Sequence, residues 1–466
     1  MKRIKILFLL TLLSIGVVHA QEKEKNVIVE TFVKDYNSED YDDFYTYFST
    51  SLKEELPFNQ AKNFFVEMKG KMGNIKSIEF YGLDDNQLAL YRTEFENKEV
   101  ALLNLAINSQ GELEGFRIID MPDNNKKASA ITQKSNQDIL LESAKGLPAK
   151  GQFAVAIIDN DQVNYFGVEN KKGKIVLKDN RENLFSMANF ATIYTSTLFA
   201  KAVNQGKIEL TQDANDFYDF EFNNKVRLPL TKLANHTSFV PMLPPLESVS
   251  IGEDEFFSGY NQNQLHEYLK NQLTIDSLNM QLKQSFSFLG YAILGDVVSK
   301  ALESDFNTLV EDQIFKPYKM NSSIVDYQKK NKKILKGINR LGQESTVVPV
   351  SMFKYATSTY SNTVDLGKFV QAQFDPTDED LSLTRRASVI VSPTYWLSSG
   401  WKIAFPFGND TKLYFSRAVD SGYSNYVGFD PVKKKGLIIL ANSSTEESLK
   451  SLDELSFQLM MKLLKN

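Results

Sequence analysis

Few residues in this 466-residue chain have the types and spacing for catalysis. Ser351-Met352-Phe353-Lys354 sets a lysine amine three residues after a serine hydroxyl. On a helix that is about one turn, close enough for the amine to take the hydroxyl's proton before attack on an acyl carbon. In a chain this rich in serine and lysine, a match of this kind is expected by chance. Asp213, Asp216, Asp219 and Glu221 could offer a carboxylate pair for acid–base work, but closeness in sequence does not make two carboxylates face one another. There are no cysteines and three histidines. A thiol nucleophile, disulfides and zinc–thiolate sites are therefore excluded. His19 falls in a leader, and His236 and His266 alone argue against a multi-histidine metal centre. No metal and no cofactor are expected.

The elements that must position any site fall into two regions behind a leader. Lys2, Arg3 and Lys5, then apolar Ile6 to Val18, then His19-Ala20, have the form of a signal peptide over residues 1–20. An exported protein, periplasmic or extracellular, is the expectation. No later apolar run reaches the length of a bilayer span, so no transmembrane segment is expected after cleavage. Residues 22–118 read as a small α+β domain. Val27 to Tyr36 and Phe58 to Met68 have helical apolar spacing, and Ser77 to Tyr81, Gln87 to Phe95, Val100 to Ile107 and Leu113 to Ile119 alternate as strands. Residues 119–147 are polar and read as a linker ending in a short helix. Residues 148–466 form the larger domain. Phe153 to Ile158 and Gln162 to Val168 read as a hairpin, 189–205 as a helix, and Leu413 to Phe415, Tyr426 to Phe429 and Gly436 to Ala441 as strands ahead of a helix from Ser448 to Leu464. One sheet built from both ends of this region and covered by helices is expected. The net charge of −5 argues against nucleic-acid binding. His266, on a polar helical stretch, and the basic run Lys329 to Lys333 read as solvated.

Motifs follow in order along the larger region. Phe185 precedes a helical run closing in Gly206-Lys207-Ile208-Glu209-Leu210. Leu233-Ala-Asn-His-Thr-Ser238, Phe286-Ser-Phe-Leu-Gly-Tyr291 with Leu294-Gly295, Phe315-Lys-Pro-Tyr-Lys-Met320, Ser399-Gly-Trp401, Gly422-Tyr-Ser424, Gly428-Phe-Asp-Pro431 and Leu440-Ala-Asn442 come after it. This series resembles the serine β-lactamase-like and penicillin-binding family, which includes class C β-lactamases, D-alanyl-D-alanine peptidases and related esterases. The resemblance implies an α/β (α+β) fold: a β-lactamase/transpeptidase-like domain with an antiparallel sheet flanked by helices. The small domain ahead of it resembles the cone-shaped fold of the nuclear-transport-factor type, usually a packing or binding module.

The resemblance also implies where chemistry should sit. The family's serine and lysine positions fall on Asn189 and Thr192, its tyrosine and asparagine positions on Phe286 and Phe288, and its closing-strand positions on Ser416 and Ala418. An amide nitrogen is no nucleophile, a threonine hydroxyl accepts no proton near neutral pH, and phenylalanine carries none to shuttle. Loss of the nucleophile alone costs on the order of 10⁶-fold in turnover. The backbone N–H groups of Asn189 and Val419 are expected to survive as an oxyanion hole, with Arg417 a possible anion partner. The expectation is a non-catalytic exported protein that binds a peptide, a peptidoglycan-derived fragment or an envelope protein. A hydrolase or esterase acting through other residues, and a structural envelope protein, are the alternatives.

Overall fold

The computed structural model describes residues 21–83, 89–97, 100–108, 111–120, 133–245, 259–275, 284–325, 334–345, 351–357, 359–392, 394–407 and 411–465. The expected leader and the basic run Lys329 to Lys333 lie outside them. The chain divides into two compact units, Met1–Pro122 and Asp123–Asn466.

The first unit packs helices α1 (Gln21–Ser38), α2 (Tyr41–Thr46), α3 (Thr50–Glu55) and α4 (Phe58–Met72) with an antiparallel meander of β1 (Ile75–Leu83), β2 (Ala89–Phe95), β3 (Val100–Ile107) and β4 (Leu113–Asp120). Phe32, Phe44 and Phe65 meet at the centre of its core, each pair with ring centroids 5.0–6.1 Å apart. Neither α2 nor α3 was expected, because six residues are too few to display a helical period. Their legible signals were the N-caps, Asp40 accepting from Asp43 N–H and Ser49 accepting from Leu52 N–H.

The second unit holds a nine-stranded antiparallel sheet. Its strands are β5 (Gln152–Asp159), β6 (Gln162–Lys171), β7 (Lys174–Leu177), β12 (Val389–Ser392), β13 (Tyr395–Leu397), β14 (Lys402–Ala404), β15 (Leu413–Val419), β16 (Ser424–Asp430) and β17 (Lys435–Ala441), in the order β12-β13-β14-β15-β16-β17-β5-β6-β7. Two ribbons accompany it, β8 (Phe185–Ser186) with β11 (Tyr360–Ser361), and β9 (Gly337–Ile338) with β10 (Glu344–Ser345). One face is covered by helices that include α6 (Ala191–Asn204), α7 (Phe288–Ala301) and α8 (Thr363–Ala372), and the other by α5 (Asn136–Ser143) and α9 (Glu446–Lys465). Both faces of β5 are therefore dry. Ala154, Ala156 and Ile158 enter the first core, Phe153, Val155 and Ile157 the second. That is why this strand reads as an unbroken apolar run.

The expected linker over 119–147 requires correction at both ends. Strand β4 reaches Asp120, and α5 buries Ile139 and Leu140 in the same core as α9. Residues 136–147 belong to the larger unit. Their polar composition reflects one exposed helix face.

Candidate functional site

Strand β8 leads directly into the site. Phe185 is fully buried, and the Ser186 hydroxyl donates to Asp420 Oδ2 at 2.7 Å while accepting from Ala188 N–H at 3.1 Å. The chain then turns through Ala188, whose φ of +49° is a left-handed conformation that costs a β-carbon residue roughly 1–2 kcal/mol. Strain of this kind persists where the surroundings fix it, often beside functional groups. A 3₁₀ turn, Ala188–Phe190, carries Asn189 to the head of α6.

Asn189 does not lie idle there. Its Oδ1 accepts a hydrogen bond from the Val419 backbone N–H at 2.9 Å. Because only the amide oxygen can accept, Nδ2 must face away, and it has no hydrogen-bond partner among the described residues. Val419 lies near the end of β15, beyond the three residues, Leu413 to Phe415, that pair with β14. From Ser416 onward the strand presents an open edge to the site. The N–H expected to form an oxyanion hole is thus already occupied by the side chain at the nucleophile position. Thr192, the second residue of α6, is buried about one turn after Asn189, and its hydroxyl donates to the Asn189 carbonyl at 2.8 Å, where it has no free role as a base.

A cavity of about 170 Å³ opens beside these groups, lined by Asn189, Thr192, Asn235, His236, Gln284, Phe286, Leu397, Ser398, Gly400, Trp401, Lys402, Ser416 and Arg417. Of the expected site positions, Asn189, Thr192, Phe286 and Ser416 meet here. Phe288 and Ala418 do not. Ser287 caps α7, accepting from Gly290 N–H and donating to the Pro241 carbonyl, both at 2.7 Å, so Phe288 starts the helix and packs edge-on against Phe286, 4.9 Å away. Ala418 is fully buried in the core beneath the strand. Two wider hollows, of about 290 and 540 Å³, lie elsewhere on the unit and contain none of these positions.

Arg417 lines the cavity too, with its charge paired. Strand alternation separates it from Ser416 and Ala418, and its Nη2 donates to Asp453 Oδ2 at 3.0 Å while its Nε donates to the other carboxylate oxygen. The cation at the pocket without a carboxylate partner among the described residues is Lys402, which sequence reasoning passed over. Burial, with the Arg417 charge second, holds its pKa below the ordinary lysine value. A signal was present, since Ser399-Gly400-Trp401-Lys402 repeats the Ser-x-x-Lys spacing. The backbone there is a tight turn, Ser398 N–H donating to the Trp401 carbonyl at 3.0 Å, so serine and lysine do not stack along a helix. Gly400 completes that turn at φ +82°, with Ser196 Oγ only 2.9 Å from where a Cβ would stand. The helical-looking Ser351–Lys354 lies in a 3₁₀ turn with Phe353 fully buried, away from the cavity.

His236, half-buried at φ +61°, packs tilted against Phe286 and Tyr291 with centroids 5.0 and 4.9 Å away. Burial, reinforced by Lys402, lowers its pKa from 6.5 to about 3. The unfolded chain therefore takes up this proton as pH falls through 6.5, while the folded protein resists until about pH 3. The resulting stability is full above pH 6.5 and lost on acidification, by up to about 1.4 kcal/mol per pH unit. Urea denaturation should show a shallower acid limb in His236→Asn, a residue that tolerates the left-handed backbone. Identical limbs in variant and parent would remove His236 from this account.

The other candidate groups are held elsewhere. His266 is not solvated as expected. It stands against Tyr218 and Phe220, its Nε2 3.6 Å from buried Asp296, which accepts from Tyr218 and Gln262 and forms an ion pair with Lys300. Asp213 and Asp216 both bind Arg227. Among the described residues, no group of three or more His, Cys, Asp or Glu could hold a metal ion, and no helix is long and apolar enough to cross a membrane.

Comparison with known proteins agrees with this frame. Residues 146–459 match the model of the beta-lactamase family, and residues 29–116 match a family of proteins of unknown function, DUF3887. The chain is 20% identical over 370 residues to a beta-lactamase of Providencia stuartii, covering 72% of this chain and 92% of that protein. It is 21% identical over 292 residues to the protein flp of Staphylococcus aureus (strain MRSA252), covering 59% of this chain and 56% of that one. Among solved structures, a class C beta-lactamase superposes with a TM-score of 0.57 at 17% identity, covering 74% of this chain and 98% of its own. A beta-lactamase/D-alanine carboxypeptidase from Pseudomonas syringae gives 0.56 at 18% identity, covering 72% and 98%. These structural likenesses show a shared fold.

Proposed function

The chain belongs to the beta-lactamase family, and from that premise we propose that its larger unit is a non-catalytic binding module that has kept the family's pocket and given up acyl transfer. The observation that carries this reading is the 2.9 Å bond from Val419 N–H to Asn189 Oδ1. Acyl transfer needs a nucleophile and an empty set of donors to stabilise the oxyanion that forms. Here one side chain supplies no nucleophile and also fills the acceptor place at a donor. The threonine hydroxyl tied to the Asn189 carbonyl and the hydroxyl-free ring of Phe286 support the same reading. The ligand class is a peptide, a cell-wall fragment or a segment of a protein partner.

The competing reading is a hydrolase acting through other residues. Its specific support is Lys402, a lysine of lowered pKa in a cavity that Ser398 and Ser416 also line. A fluorophosphonate probe and a fluorescent penicillin separate the two. Incubation with the full chain should give no covalent adduct by intact-mass spectrometry. An adduct mapped to Ser398, Ser416 or any other serine of residues 151–466 would overturn the non-catalytic reading.

A further inference from the structure

Lys402 differs from the chain's other lysines in its surroundings. It is the first residue of β14, where its backbone pairs with Leu397 of β13 on one side and Phe415 of β15 on the other, so the side chain starts from a strand held at both edges. Among the described residues, no aspartate or glutamate lines the cavity, and Lys402 has no hydrogen-bond or ion-pair partner. Its charged neighbour is another cation, Arg417, whose own charge is matched by Asp453. Where a carboxylate stands beside the amine instead, as Asp35 does at Lys34, Asp312 at Lys316 and Glu446 at Lys450, the pKa is held above the ordinary lysine value. At Lys402 burial, with Arg417 second, moves it the other way. Desolvation and a neighbouring positive charge both favour the free amine, the form with a lone pair to give to a carbonyl carbon. The walls suit an apolar reactant, since Phe286, Leu397 and Trp401 line the same cavity.

We infer that Lys402 is a nucleophilic amine that captures a small apolar aldehyde reversibly as an imine, the aldehyde's body lying against Phe286. The step balances without an oxidant or reductant. The Nζ lone pair attacks the carbonyl carbon, a carbon–nitrogen bond forms, and the carbonyl π electrons move onto the oxygen. That oxygen then leaves with both amine hydrogens as one water, and the carbon–nitrogen double bond remains. Addition of water reverses the step and releases the aldehyde. Size sets the class of reactant. The cavity's 170 Å³ lies near the ~150 Å³ that accepts a benzene ring, so a single-ring aldehyde fits. The inference goes beyond the non-catalytic reading and does not depend on it, because the bond forms on nitrogen and no acyl group is transferred.

The test incubates the full chain near neutral pH with less than one equivalent of benzaldehyde and with cyanoborohydride, which reduces an imine to a stable secondary amine. Peptide mass spectrometry then maps the adduct. Lys402 should carry at least about tenfold more of it than the exposed Lys316 or Lys450, because burial of the ring adds to the supply of free amine. Its labelling should also rise at a lower pH than theirs. Excess benzyl alcohol, which has the ring but no carbonyl, should protect Lys402 and leave Lys316 and Lys450 unchanged. Lys402→Met keeps the apolar stem and should reduce the total adduct to the level of the exposed lysines, with a thermal midpoint within a few degrees of the parent. The first three readouts use the parent chain, so they decide the matter even where the variant does not fold. An even spread of adduct over the lysines, a pH profile at Lys402 that coincides with those of Lys316 and Lys450, or no protection by benzyl alcohol would overturn the assignment. The serine probes read a different residue and a different bond, so failure here and failure of the non-catalytic reading are told apart.

Discussion

Asn189→Ser alone should leave the cavity unreactive toward penicillins and fluorophosphonates, and Thr192→Lys or Phe286→Tyr alone should do no better. The three together should give a protein that forms an acyl adduct. The reason is that nucleophile, base and proton carrier act as a unit. In such units the loss of one member costs nearly as much as the loss of all, on the order of 10⁶-fold. Serine at 189 would release the Val419 N–H from its present acceptor and restore a donor for an oxyanion. It would still lack a base, because the Thr192 hydroxyl points at the Asn189 carbonyl and cannot hold a proton near neutral pH. Lysine at 192 without serine would have nothing to activate. Intact-mass spectrometry after incubation with excess penicillin reads the outcome directly. A single Asn189→Ser protein labelled at the rate of the triple variant would show that a base already exists, with Lys402 the first candidate.

Trp401→Ala should destabilise the larger unit by about 3–5 kcal/mol, the range for truncating a large buried aromatic. Trp401 is 1% exposed and sits between two rings, Phe190 at 5.9 Å and Phe429 at 4.9 Å, both edge-on. Phe190 belongs to the turn that presents Asn189, and Phe429 to β16, opposite Tyr414 of β15. The indole therefore wedges the helix head against the sheet, and its removal leaves a cavity that two rigid elements cannot close. The chain has two tryptophans, and the other, Trp396, lies on β13 of the same unit. Urea denaturation followed by tryptophan fluorescence thus reports this unit in both parent and variant. Trp401→Phe should lose on the order of 1–2 kcal/mol, since most of the ring contact is kept. A loss below about 1 kcal/mol for alanine would mean that the wall relaxes around the gap.

Much of the frame was readable from sequence because it is set by short-range rules. The runs from Phe153 to Ile158 and Gly436 to Ala441 announced strands by apolar content. The expected site positions came from the family resemblance, which placed the family's motifs on this sequence. What spacing could not give was direction across space. The Asn189 amide meets Val419 only because β8, α6 and β15 converge, and no local pattern encodes that meeting. Arg417 was closer to legible. Strand alternation puts it on the opposite face from Ser416 and Ala418, and α9 offers Asp453 on that side. Lys402 was hidden because its serine–lysine spacing falls on a turn, where three residues do not make a helical neighbour. His266 was misread because its neighbour Asp296 is brought by the packing of another helix, and Phe288 leaves the cavity because the Ser287 cap makes it the first residue of α7.

The register of β5 with β17, in which Phe153 pairs with Ala441 and Asp159 with Lys435, has a consequence for biosynthesis. Strand β5 leaves the ribosome long before its central partner β17. At typical elongation rates the interval is on the order of ten seconds or more. Throughout it, a strand that is dry on both faces in the finished sheet has one edge without its partner, a template for pairing with other chains. The first unit can complete its own meander in that time, since all its strands are already made. A message truncated before Lys435 would yield β5 to β7 and β12 to β16 as two half-sheets with nothing to join them. The sheet of the larger unit therefore cannot close until β17 has been made.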